Sequence, residues 1–202
     1  MLPQPPLLVV LAGRPGTGKT TLGQALASEL RAAFLRIDAI ETAVVRCGLT
    51  EPPVGPVGYA VAHEIAAATL ALGTPVVIDA VNPVPEARSG WWAIASSTRL
   101  VIFETVLAEQ AEHRRRIEAR QPDLVDQIVP TWDQVVASEY VAWDEARDGP
   151  RHVIDMTHTE LGVAAALAHL QEETPRRHRQ RTADGEPAGN LGQSPKEASG
   201  SG

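Results

Sequence analysis

The feature that most constrains this chain is the octet Gly13-Arg14-Pro15-Gly16-Thr17-Gly18-Lys19-Thr20. It matches G-x-x-x-x-G-K-[ST] at every fixed position. Leu7 to Ala12, just before it, is apolar on both faces, as a doubly buried central strand must be. Lys19 to Arg31, just after it, places Leu22, Ala25, Leu26 and Leu30 on one side of an amphipathic helix. Strand, glycine loop and helix in that order form a cradle for an anion. Glycines at 13, 16 and 18 permit positive φ and close backbone approach, and the successive N–H groups converge on phosphate at the helix N-terminus. The expected ligand-contacting residues are Gly13, Arg14, Pro15, Gly16, Thr17, Gly18, Lys19, Thr20 and Thr21. Lys19 is expected to reach the β- and γ-phosphates of ATP, and the Thr20 hydroxyl to join a Mg²⁺ shell.

The rest of the chain alternates short apolar runs with longer amphipathic ones, the pattern of a parallel sheet covered by helices. Further strands are expected at Ala33–Ile37, Pro75–Asp79, Arg99–Leu107 and Arg151–Asp155. Helices are expected over Asp38–Arg46, Tyr59–Leu72, from Pro85, and over Glu109–Arg120. Thr131-Trp132-Asp133-Gln134 and Thr157-His158-Thr159-Glu160 each have capping-box spacing and should open two more. Five strands with their helices fit one α/β domain over residues 1–172. From Glu173 the composition turns to Pro, Gly, Ser, Arg and Glu, with Leu191 the sole large apolar residue, so 173–202 is expected to be a disordered tail.

Charge and composition exclude several classes. A net charge of −7 argues against a non-specific nucleic-acid binder. A single cysteine, Cys47, can form neither an internal disulfide nor a cysteine metal site, which suits a reducing cytoplasm. The apolar start is too short and lacks the basic leader of a signal segment, and no run approaches the ~20 apolar residues of a membrane helix. A cytoplasmic monomer or homodimer is expected.

Two aspartates close expected strands. Asp79 has the place of a Mg²⁺ ligand opposite the phosphate loop, although a loop or cap aspartate would look the same. Ala80 follows it where motor ATPases commonly carry a water-activating carboxylate. Asp38, facing the crevice of an open α/β sheet, could take the proton of an attacking hydroxyl. Asp38-Ala39-Ile40-Glu41 also fits an N-cap with glutamate at N3, and the two roles are compatible.

The loop, the Leu35-Arg36-Ile37-Asp38-Ala39-Ile40-Glu41 segment and the Val77-Ile78-Asp79-Ala80-Val81-Asn82 strand end together resemble the small P-loop kinase-like AAA-family ATPases. That group includes chloramphenicol phosphotransferase, gluconate kinases, polynucleotide kinase domains and zeta-type toxins, and the resemblance spans about Leu7 to Leu170. It implies a P-loop NTPase three-layer sandwich with a five-stranded parallel sheet ordered 2-3-1-4-5 and a helical lid. It implies a base at Asp38 and lid arginines closing over the triphosphate. Of the arginines on 109–120, Arg116 and Arg120 share a face at i,i+4 and are the preferred pair, with Arg115 as substitute; ion pairs on a solvated helix would use them equally well. Polynucleotide kinases place an arginine where this chain has Glu41, which favours a neutral or cationic hydroxyl compound over a nucleic-acid end. Arg88 could touch acceptor, phosphate or solvent, and one of Trp91 and Trp92 could line the acceptor pocket. His63 and His113 have no partners at metal-binding spacing. The expected function is transfer of the γ-phosphate of MgATP to a small-molecule hydroxyl, with Lys19, Asp38, Arg116 and Arg120 catalytic and Thr20 and Asp79 on the metal. The alternatives are a regulatory nucleotide switch, or a kinase of nucleic-acid ends or sugar-nucleotides.

Overall fold

The computed structural model describes residues 5–95 and 98–172. The segment expected to be a tail, 173–202, lies outside the described residues, as do 1–4 and 96–97. Five strands, β1 (Leu7–Ala12), β2 (Ala33–Arg36), β3 (Val76–Asp79), β4 (Arg99–Val106) and β5 (His152–Asp155), form one parallel sheet ordered β2-β3-β1-β4-β5. Among the described residues the helices are α1 (Lys19–Leu30), α2 (Ile37–Arg46), α3 (Val57–Ala71), α4 (Pro85–Ile94), α5 (Gln110–Ala119), α6 (Trp132–Ala137), α7 (Glu145–Asp148) and α8 (Thr159–Glu172). The expected fold and strand order are those found. No described helix is long and apolar enough to cross a membrane.

The two faces of β1 explain both layers. Val9 and Leu11 point into a core shared with Leu22 and Leu26 of α1, Phe103 and Leu170 of α8. Leu8 and Val10 point the other way, onto Ala62 and Ala66 of α3 and Trp91 of α4. All four β1 side chains are fully buried, each contributing about 1.5–3 kcal/mol of apolar burial. Because α1 leaves β1 on one face and α4 leaves β3 on the other, the connections diverge between adjacent strands. That is the switch point where an open α/β sheet forms its crevice.

Local departures from the expected boundaries have physical causes. β2 ends at Arg36, one residue early, because Ile37 turns into the core as the first residue of α2. Asp38 is therefore inside the first turn and not an N-cap; the cap position is Arg36 and makes no side-chain cap bond. The Thr131 capping box forms as expected, with the Gln134 N–H donating to Thr131 Oγ1 and the Thr131 N–H donating to Gln134 Oε1. The second box does not form. The Thr157 hydroxyl donates to Asp155 Oδ1 at 2.6 Å, and α8 begins only at Thr159.

Arg88 corrects a surface or ligand expectation: it is fully buried. Its guanidinium donates to Asp148 Oδ2 at 2.7 Å and to the carbonyls of Asn82, Pro83 and Val141, and lies 4.5 Å from the Trp143 ring centroid. Trp91 is also core, donating to Asn82 Oδ1, while Trp92 donates to the Asp148 carbonyl. Asp148→Asn leaves Arg88 buried beside a neutral partner and is expected to lower the unfolding free energy by about 3 kcal/mol, measured by urea denaturation followed by tryptophan fluorescence.

Candidate active site

The loop after β1 takes the backbone its glycines allow, with φ of 129° at Gly13, 81° at Gly16 and 94° at Gly18. Gly18 is the left-handed N-cap of α1, and no side chain caps that helix, so its first amides stay available to an anion. Lys19 folds back over the loop, its Nζ donating to the Arg14 carbonyl at 2.9 Å. Thr17 is buried and bonds Arg14 O and Thr105 Oγ1, which makes it a brace for the loop. The Arg14 side chain turns away, donating to the Val135 carbonyl at 2.8 Å and lying 5.1 Å from the Tyr140 ring centroid. Arg14 is thus part of the loop by its backbone while its guanidinium ties the loop to α6.

Asp79 meets this loop from the next strand. The Thr20 hydroxyl donates to Asp79 Oδ2 at 2.6 Å. In the β2–β3 register Arg36 lies beside Asp79, and its Nε is 3.5 Å from Oδ2. Burial lowers the Lys19 pKa and raises that of the Asp79 carboxyl, each effect opposed by the other's charge. A phosphate anion would favour charged Lys19, and a cation would favour ionised Asp79. A hydroxyl and a buried carboxylate joined at the phosphate loop form a donor set suited to Mg²⁺. Among the described residues no group of three or more His, Cys, Asp or Glu could hold a metal alone, so phosphate oxygens and water would complete such a shell.

The loop opens into a cleft of about 730 Å³, within the range of small-molecule sites. Its near end holds Gly16, Gly18, Lys19, Thr20 and Thr21, with Asp79 and Ala80 beside them. Its far end is built from α2, the Pro52–Gly55 loop and the connection between α5 and α6. Asp38 projects into the cleft from α2, 3.7 Å from Arg120 Nη2 and 3.5 Å from Gln127 Nε2. Glu41 lines the cleft one turn on, and burial with the neighbouring Asp38 charge pushes its carboxyl up to about 7. Helix α5 closes over the loop: Ile117 packs at Gly16, and His113 Nε2 is 2.7 Å from the Pro15 carbonyl oxygen.

A family model described as an AAA domain matches residues 8–138. The chain belongs to the AAA domain family. None of the curated proteins matches it in sequence. Among solved structures, this AAA domain is similar to a protein of Chloroflexus aurantiacus J-10-fl provisionally described as a kinase, at 25% identity and a TM-score of 0.58, covering 85% of this chain and 99% of that one. It is similar to a gluconokinase from Sinorhizobium meliloti 1021 at 17% identity and a TM-score of 0.56, covering 85% and 99%. It is also similar to the Mycobacterium tuberculosis APS kinase, in complex with AMPPNP and APS, at 14% identity and a TM-score of 0.63, covering 84% and 99%. The fold is that of small P-loop kinases.

Of the expected site residues in this AAA domain, Lys19, Thr20, Asp38, Asp79 and Arg120 come together in one cleft. Arg116 does not join them: its Nε donates to Glu112 and its Nη2 to the Thr157 carbonyl at 2.9 Å. Arg115 is likewise held by Glu112 and exposed. No tryptophan lines the cleft. Arg36 was missed as a site residue by sequence reasoning, although it stands at the carboxyl end of β2 and inside the Leu35–Glu41 segment singled out. It also forks onto Asp123, Nη1 to Oδ2 at 2.7 Å and Nη2 to Oδ1 at 3.2 Å, and so joins the Asp79 end of the cleft to its far wall.

Glu41 makes the site's pH dependence calculable in sign. Its carboxyl rises from an ordinary 4.5 to about 7 on folding, so the folded chain holds a proton there that the unfolded chain has released. Stability therefore falls as pH rises through that window, and the strain of the charged form is full above it. Glu41→Gln is expected to raise the thermal midpoint at pH 8, with the gain gone near pH 4.5, read by paired melting curves.

Proposed function

We propose that this chain is an ATP-dependent phosphotransferase that moves the γ-phosphate of MgATP to a hydroxyl of a small molecule. The observation that carries the reading is the presence of Asp38 in the same cleft as Lys19, Thr20 and Asp79, with Ala80 where a hydrolytic carboxylate would stand. The loop amides and Lys19 hold the triphosphate. Thr20 and Asp79 hold Mg²⁺, which neutralises charge on the phosphate oxygens when bound. Asp38 accepts the proton of the acceptor hydroxyl as its oxygen bonds to the γ-phosphorus and ADP departs. Arg120 supplies positive charge near the transferring group, and α5, seated on the loop, limits water at the reacting end.

The chain's likeness to P-loop kinases supports this reading, while the acceptor is set by the far end of the cleft. Asp38→Asn is expected to abolish transfer while leaving ATP affinity within about twofold, since a base acts in the transition state and not in donor binding. Single-turnover phosphoryl transfer and nucleotide titration check this; retained turnover would remove Asp38 from the reaction.

The two arginines are separable. Arg120→Ala is expected to slow transfer by about 100-fold. Arg116→Ala, which loses contacts to Glu112 and Thr157, is expected to lower stability and leave kcat within about threefold. Steady-state kinetics on both variants checks the assignment.

A further inference from the structure

The acidic groups at the far end of the cleft outnumber the protein cations paired with them. Four carboxylates line it: Asp38 and Glu41 on α2, and Asp123 and Asp126 on the connection from α5 to α6. Arg36 takes Asp123 in a two-pronged pair, and Arg120 lies 3.7 Å from Asp38. Glu41 and Asp126 have no hydrogen-bond or ion-pair partner among the described residues. Glu41 is also packed on one side: a Cβ added at Gly58 of α3 would lie 2.8 Å from Glu41 Cγ and 3.0 Å from its Oε1, so the side chain lies against α3 while the residue lines the cleft. The raised Glu41 pKa is the response of a carboxylate whose neighbours offer burial and another negative charge. What would relieve it above neutral pH is a cation that the protein does not supply.

Asp38 and Glu41 are three residues apart on one helix, so their side chains leave from the same face with Cβ atoms about 5–6 Å apart. A ligand meeting both must present two donors a few bonds apart.

We propose that the acceptor is a cationic amino alcohol or amino sugar, its ammonium paired with Glu41 and its hydroxyl delivered to Asp38. This inference rests on the phosphotransferase reading above. In the reaction the hydroxyl proton passes to Asp38 and the oxygen forms its bond to the γ-phosphorus. The bond from that phosphorus to the β–γ bridging oxygen breaks, and the electron pair leaves with ADP. The ammonium keeps its protons and serves only to hold the acceptor. Asp126 adds a second uncompensated charge at the same end, so an acceptor carrying a carboxylate or phosphate there is repelled.

The test uses the full chain loaded with Mg²⁺ and AMPPNP, and two matched sets of acceptors on constant frames. One set is glucosamine, glucose and glucuronate; the other is 3-amino-1,2-propanediol, glycerol and glycerate. Calorimetric binding is expected to favour the amine of at least one set over its hydroxyl counterpart by about tenfold, with the carboxylate weakest. Glu41→Gln is expected to reduce that advantage to within about twofold. Equal binding within both sets, tighter binding of a carboxylate, or an amine advantage that survives Glu41→Gln overturns the proposal. Transfer of labelled phosphate from ATP is measured on the same compounds. Transfer to the neutral members without amine preference leaves the phosphotransferase reading standing and removes the cationic acceptor. Amine-selective binding with no transfer to any member supports the charge preference and counts against phosphoryl transfer.

Discussion

The hydrogen bond from the Thr20 hydroxyl to Asp79 joins the first turn of α1 to the end of β3, and the cleft is arranged around it. The bond is possible because β1 and β3 are adjacent, with Leu11 in register with Asp79, so that loop and carboxylate emerge side by side. That adjacency depends in turn on an apolar sheet buried on both faces, which holds the two strand ends in fixed register. Two polar side chains are thereby kept at the rim of a core that would otherwise exclude them. Burial makes Asp79 hard to charge and Lys19 hard to protonate. A metal–phosphate complex bound at this pair would remove both penalties.

From this pair the cleft divides into two halves of different character. The near half is made of backbone amides and a lysine, and its geometry follows from three positive-φ glycines. The far half is made of side chains from three separate segments, carries more acid than base, and is reached from the near half through Asp38. Arg36 ties the Asp79 end to the far wall by way of Asp123, which links that wall to the Thr20–Asp79 pair. Arg14 and His113 fasten the loop to α6 and α5, so the cover over the phosphates and the loop beneath them are mechanically connected.

The near half was legible in the sequence because its rules are local. A glycine pattern between a doubly apolar run and an amphipathic run leaves few folds, and strand ends in such a sheet face the crevice; Asp79 and Asp38 were found that way. The far half was less legible because it depends on how helices sit against one another. Arg116 and Arg120 share a face on an ideal helix, but Arg120 is the C-cap with extended backbone, and its side chain leaves the helix direction and enters the cleft. Arg116 stays on the helix and is consumed by Glu112 and Thr157. Arg88 resembled a surface arginine because its partner, Asp148, lies 60 positions away in a four-residue helix too short to read from periodicity. Glu41 drew notice as the N3 residue of a capping pattern and as a departure from a family pattern. Its isolation from protein cations is a property of the packed helices.

The central claim is that the cleft passes phosphate to a hydroxyl compound and not to water. The most direct measurement is the fate of the γ-phosphate of labelled ATP with and without a panel of hydroxyl acceptors. A phosphotransferase yields acceptor-bound label in proportion to ADP formed, with little free phosphate. Label released only as inorganic phosphate, at a rate indifferent to every acceptor, would contradict it.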